Sequence, residues 1–135
     1  MARRSSEISQ GAEINIKTKL STLWIVVMMN MIFADILGFA MTLMSGDLTP
    51  EAVVADWGML IFAVILQIPI FMILLSRVLK RGVNRWANII AAVITTAFVV
   101  GGASFNIVYY FFAGVEIVCM AFIVRYALTW PREAA

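Results

Sequence analysis

The sequence predicts an all-α integral membrane protein, an antiparallel four-helix bundle whose four transmembrane helices run up, down, up and down. Three observations predict it. Of 135 residues, 63% are hydrophobic and only 13% charged, with a mean hydropathy of +0.97, against the roughly 45–50% apolar usage of soluble domains. The apolar residues gather in four runs, near 21–43, 57–79, 86–104 and 107–128, each close to the about 20 residues a helix needs to cross the hydrocarbon. Four spans drawn through those runs place all ten basic residues on one side. A soluble fold of this length would lack the polar side chains to coat its outside.

The elements follow in order. Residues 1–20 form a cytoplasmic N-terminal segment in which Glu7 and Glu13 interrupt the basic residues. The run after it is long enough to span, which argues for a retained first helix and against a cleaved signal peptide. Within the segment, "EINIKTKL" alternates apolar and polar residues, so it is expected to lie along the membrane surface or pair as a short strand, with disorder as the alternative. The loop after the first span holds a helix start in "TPE": Thr49 can cap, Pro50 needs no amide partner, and Glu51 suits the positive end of the helix dipole. In the second span, Pro69 removes an amide donor and frees a carbonyl near Ile65, which can open a site beside Gln67. The turn "LKRGVNRW" offers Gly82 as a left-handed helix terminus and Asn84 as the next cap. Asn106 can cap the fourth span and Pro131 stops it, leaving residues 131–135 as a cytoplasmic tail. Loops this short force neighbouring helices antiparallel within one transmembrane domain, residues 21–130.

Orientation follows from charge. Arg3, Arg4, Lys17 and Lys19, then Arg77, Lys80, Arg81 and Arg85, then Arg125 and Arg132 share a side, while Asp47, Glu51 and Asp56 lie on the other. Because basic residues are retained inside, both termini and the middle loop are expected to be cytoplasmic, in a cell inner membrane. Trp24, Trp86 and Trp130 fall at inner helix ends and Trp57 at an outer one, as interfacial indoles would. Arg125 is expected to snorkel to the inner interface.

Several chemistries are excluded. A single cysteine, Cys119, permits no internal disulfide or dithiol couple, and the chain has no histidine, the commonest ligand for zinc, haem or copper. No metal site and no cofactor are expected, and no basic, aromatic-interleaved surface remains for nucleic acid. No nucleophile, base and orienting group assemble at a recognisable spacing, so the protein is not expected to be an enzyme.

What remains is a polar layer. Counted from the outer helix ends at about 1.5 Å per residue, Asp35, Gln67, Thr95, Thr96 and Glu116 fall in one slab, and every helix contributes to it. An ionised side chain facing lipid costs roughly 2.5–3.5 kcal/mol on insertion scales, so Asp35 and Glu116 should turn inward. Asp35, Gly38 and Thr42 share a face of the first helix with Asn30 at its margin, and Tyr109, Ala113, Glu116 and Met120 share a face of the fourth. Asn88, Ala92 and Thr96 make a small and polar stripe on the third, suited to close helix approach.

The chain resembles a family of short bacterial and archaeal membrane proteins classed only as a domain of unknown function. The likeness covers nearly the whole chain and rests on "INIKTKLSTLW", "FADILGF", "IPIFMILLSRVL", "NRWANII", "VEIV" and "YALTWP". It implies a four-helix fold and acids at the positions of Asp35 and Glu116, while Gln67 departs from the apolar residue usual there. It implies no activity. Two functions are open. In one, the layer of Asp35, Glu116, Gln67, Asn30, Thr95, Thr96 and Tyr109 binds or moves a proton, a cation or a small polar solute. In the other, the same residues only join helices in an accessory or scaffold subunit. Beyond the lipid bilayer, a homo-oligomer or a larger membrane complex is the expected partner.

Overall fold

The computed structural model describes residues 1–46, 56–102 and 106–131. They form four helices, α1 Ala2–Ser45, α2 Asp56–Val78, α3 Arg81–Gly101 and α4 Ile107–Leu128, with no strand among the described residues. Each helix packs on two neighbours, α1 and α3 each lying between α2 and α4. Contacts show the antiparallel sense. The Ser21 hydroxyl of α1 donates to the Ile73 carbonyl of α2 at 2.9 Å, whereas Asp35, farther along α1, shares a cavity with Phe62, near the other end of α2.

The first helix departs from the expected plan. Residues 1–20 are neither a strand nor a separate segment; they continue the span as one helix of 44 residues, about 66 Å long. Local pairing supports it. Glu13 and Lys17 form an ion pair at 2.8 Å one turn apart, and the hydroxyls of Ser5, Ser6 and Ser9 donate to carbonyls three residues back. The apparent alternation of "EINIKTKL" is broken by packing: Ile14 is exposed, while Ile16 and Leu20, one turn apart, turn to the core. From there the buried stripe of α1 runs Leu20, Trp24, Val27 and Met31, at the four-three-four spacing of one helical face. Beyond Met31 no residue of α1 is buried. The helix stops at Gly46, whose φ of 72° is left-handed, a conformation in which glycine lacks the steric penalty of other residues.

The turn between α2 and α3 is also built differently. Gly82 is not left-handed and lies in the first turn of α3, which begins at Arg81 rather than near residue 86. The chain reverses at Lys80, which is extended. Asn84 does not cap α3. Its amide reaches back to the last turn of α2, donating to the Ser76 carbonyl at 2.6 Å and the Leu79 carbonyl at 3.3 Å, and so satisfies helix-end acceptors that a left-handed glycine would otherwise help to serve. Asn106 does cap α4, accepting from the Val108 amide at 2.9 Å. The capping expected of Thr49, Pro50 and Glu51, and the places of Asp47 and Arg132, lie outside the described residues, as does the Trp57 side chain.

Trp24 is not interfacial. It is fully buried, and its indole N–H donates to Asn88 Oδ1 at 2.7 Å across the bundle diagonal. Ser76 donates to the same oxygen at 3.2 Å, and the Asn88 amide donates to the Asn84 carbonyl and to Asn84 Oδ1. Trp24, Ser76, Asn84 and Asn88 are all at 0% exposure. A closed network of this kind joins three helices without leaving a donor unmet.

Candidate functional site

The Trp24–Asn88 bond sets the register of α1 against α3, which run parallel across the diagonal. Eleven residues farther along each helix stand Asp35 and Val99, and both line the same cavity. That cavity has a volume of about 230 Å³ and draws on all four helices: Met31, Ala34 and Asp35 of α1, Phe62 and Leu66 of α2, Phe98 and Val99 of α3 with Gly102 just after it, and Tyr109 and Glu116 of α4.

Glu116 is 5% exposed. Its Oε1 accepts from Asn30 Nδ2 at 2.8 Å, and the same amide donates to the Phe112 carbonyl at 3.0 Å. Asn30 therefore clamps the carboxylate from the neighbouring helix and fixes its rotamer. No hydrogen bond to Oε2 occurs among the described residues. Asp35 is exposed rather than enclosed. It sits on the cavity wall without a hydrogen bond to Glu116, so the two acids share a cleft and not a dry contact. Beyond Met31 the α1 helix is no longer covered by its neighbours, and Gly38 is exposed as well.

Tyr109 borders the cavity, and its hydroxyl donates to the Val99 carbonyl. The bond ties the first turn of α4 to the last turn of α3, where carbonyls lack an amide partner within the helix. No lysine or arginine lines the cavity.

Three expected members of the layer stand elsewhere. Gln67 is exposed on α2, and its neighbour Leu66 lines the cavity in its place. Pro69 is fully buried. Thr96 is half-buried and lines a separate apolar groove of about 660 Å³ between α3 and α4, with Ala92, Ala97, Ile117 and Met120. Thr95 is buried, one turn below Val99, and its hydroxyl has no partner among the described residues. The inward stripe of α3 thus runs Asn84, Asn88, Ala92, Thr95 and Val99.

The largest polar feature, the network of Trp24, Ser76, Asn84 and Asn88, escaped the depth count because it lies toward the other end of the bundle. Its signal was present: two asparagines, Asn84 and Asn88, one turn apart on a membrane-length helix.

Fold and site together define a class, a bundle of four helices long and apolar enough to cross a membrane with an acid-lined cleft in one half of it. The chain belongs to the family of unknown function DUF6326, which it matches over residues 11–135. Neither a curated protein nor a solved structure matches it.

Proposed function

We propose that the protein is a multi-pass inner-membrane protein, with both termini cytoplasmic, that binds and moves a proton, a cation or a small polar solute at the Glu116 cleft. One observation carries the reading: a carboxylate almost wholly buried at a cavity wall, held in place by Asn30, with a second carboxylate on the facing helix of the same cavity and no basic group among the described residues that line it. Keeping an acid at membrane depth is costly, and here nothing of opposite charge offsets the cost. The basic residues grouped on one side of the four spans support the orientation. The chemistry proposed is binding and passage, not catalysis.

The test is flux into liposomes holding the purified chain. Glu116→Gln and Asp35→Asn are expected to abolish a pH-gradient-driven or cation flux while leaving the helical spectrum unchanged. Unaltered flux in both variants refutes the reading. A second reading, an accessory or scaffold subunit, is favoured by the Asn30 clamp itself, since the amide joins α1 to α4 without needing a ligand. It predicts that Glu116→Gln, whose amide oxygen can still accept from Asn30, keeps both stability and any copurifying partner.

A further inference from the structure

We propose that the Glu116 cavity selects a small organic ammonium ion, held between aromatic rings and the two carboxylates; this rests on the reading of the cavity as a solute site. Three of its four walls carry an aromatic ring, Phe62 from α2, Phe98 from α3 and Tyr109 from α4. The Phe62 and Phe98 ring centroids are 5.3 Å apart with planes inclined by 59°, so the pair presents a corner and not a flat stack. Met31 adds a polarisable thioether to the same lining. Aromatic faces attract cations through the ring quadrupole, most strongly where the contact is desolvated.

The alternatives fit this lining less well. A hard metal ion needs an oxygen-rich shell, about six to eight ligands for calcium. The wall offers two carboxylates, and no three Asp, Glu, Cys or His side chains gather among the described residues. The Tyr109 hydroxyl already donates to Val99. An anion would meet two acids and no base. An alkylammonium ion needs no complete oxygen shell, because its methyl or methylene groups rest on the rings while its charge faces Glu116. Size narrows the class further: about 230 Å³ falls below the roughly 300–1,000 Å³ of pockets for drug-sized ligands, so the occupant has only a few heavy atoms.

Calorimetric titration of the full chain in detergent tests the assignment, with tetramethylammonium as the probe and sodium and tetraphenylphosphonium as controls. Saturable tetramethylammonium binding is expected, weakened at least tenfold by Glu116→Gln and by Phe98→Leu, which removes the ring but keeps an apolar side chain. Tetraphenylphosphonium is expected to be excluded by size. Phe62→Leu serves as the second ring variant if Phe98→Leu fails to give a monodisperse helical protein. Binding that ignores both ring variants, or equal uptake of the two organic cations, overturns the proposal. Absence of tetramethylammonium binding together with proton or sodium flux that still depends on Glu116 overturns the ligand class alone; absence of both overturns the solute site as well.

Discussion

Replacing Asn88 by alanine tests the internal network most directly. The side chain is at 0% exposure and takes part in four bonds: it accepts from Trp24 and Ser76 and donates twice to Asn84. Alanine leaves the Trp24 indole N–H, the Ser76 hydroxyl and Asn84 Oδ1 without this partner. The Ser76 hydroxyl can turn to a carbonyl of its own helix, which leaves two groups stranded. At about 1–3 kcal/mol for each buried unsatisfied group, reduced because interhelical bonds in membranes average about 0.6 kcal/mol, the loss comes to about 2–3 kcal/mol. Trp24→Phe removes only one donor and is expected to cost about 1 kcal/mol. Reversible unfolding in mixed micelles, read as a double-mutant cycle, provides the assay. The two losses should fall short of additivity by about 1 kcal/mol, because the bond they share is counted in each. An Asn88→Ala variant within about 0.5 kcal/mol of the parent, or strict additivity, would refute the argument that this network holds α1 to α3.

Two further predictions follow from the described geometry. Gly46→Ala places a Cβ on a residue at φ 72° and is expected to destabilise by about 1 kcal/mol, read as a lowered melting temperature. Gln67→Leu alters an exposed residue outside the cavity; stability should move by less than about 0.5 kcal/mol and any Glu116-dependent flux should persist, whereas loss of flux would return Gln67 to the site.

The four spans were legible because an unbroken apolar run of this length has few other uses. The side on which a residue faces was much less so. In water, a helix that is apolar on one side reports which side is buried; in lipid, both sides can be apolar. Counting from the helix ends gave the height of Asp35, Gln67, Thr96 and Glu116 but not their angle about the axis. Gln67 and Thr96 stand near the right level and face elsewhere. On α3, Asn84, Asn88 and Thr95 mark the inward face, and there polarity was a usable guide. The amino-terminal extension of the first helix, residues 1–20, was missed for another reason. A short alternating stretch fits a strand as well as a helix, and the choice was made by the Glu13–Lys17 pair and by the packing of Ile16 and Leu20, which a pattern of hydrophobicity alone does not weigh. The asparagine in the second turn reached backward: its amide donates to carbonyls ending α2, and its Oδ1, the atom a cap would use, accepts from Asn88.

A bilayer core of about 30 Å accommodates less than half of the α1 rod, so a stretch of comparable length stands clear of it as a stiff mast. Its foot is the turn where Leu20, Ser21 and Trp24 become buried in the bundle. Rocking the embedded part by about 10°, well within the range of tilts that membrane helices adopt, would sweep the free tip sideways by about 5 Å. The amino terminus and the Asp35 wall of the cleft thus stand on one unbroken rod, and any such tilt moves both together.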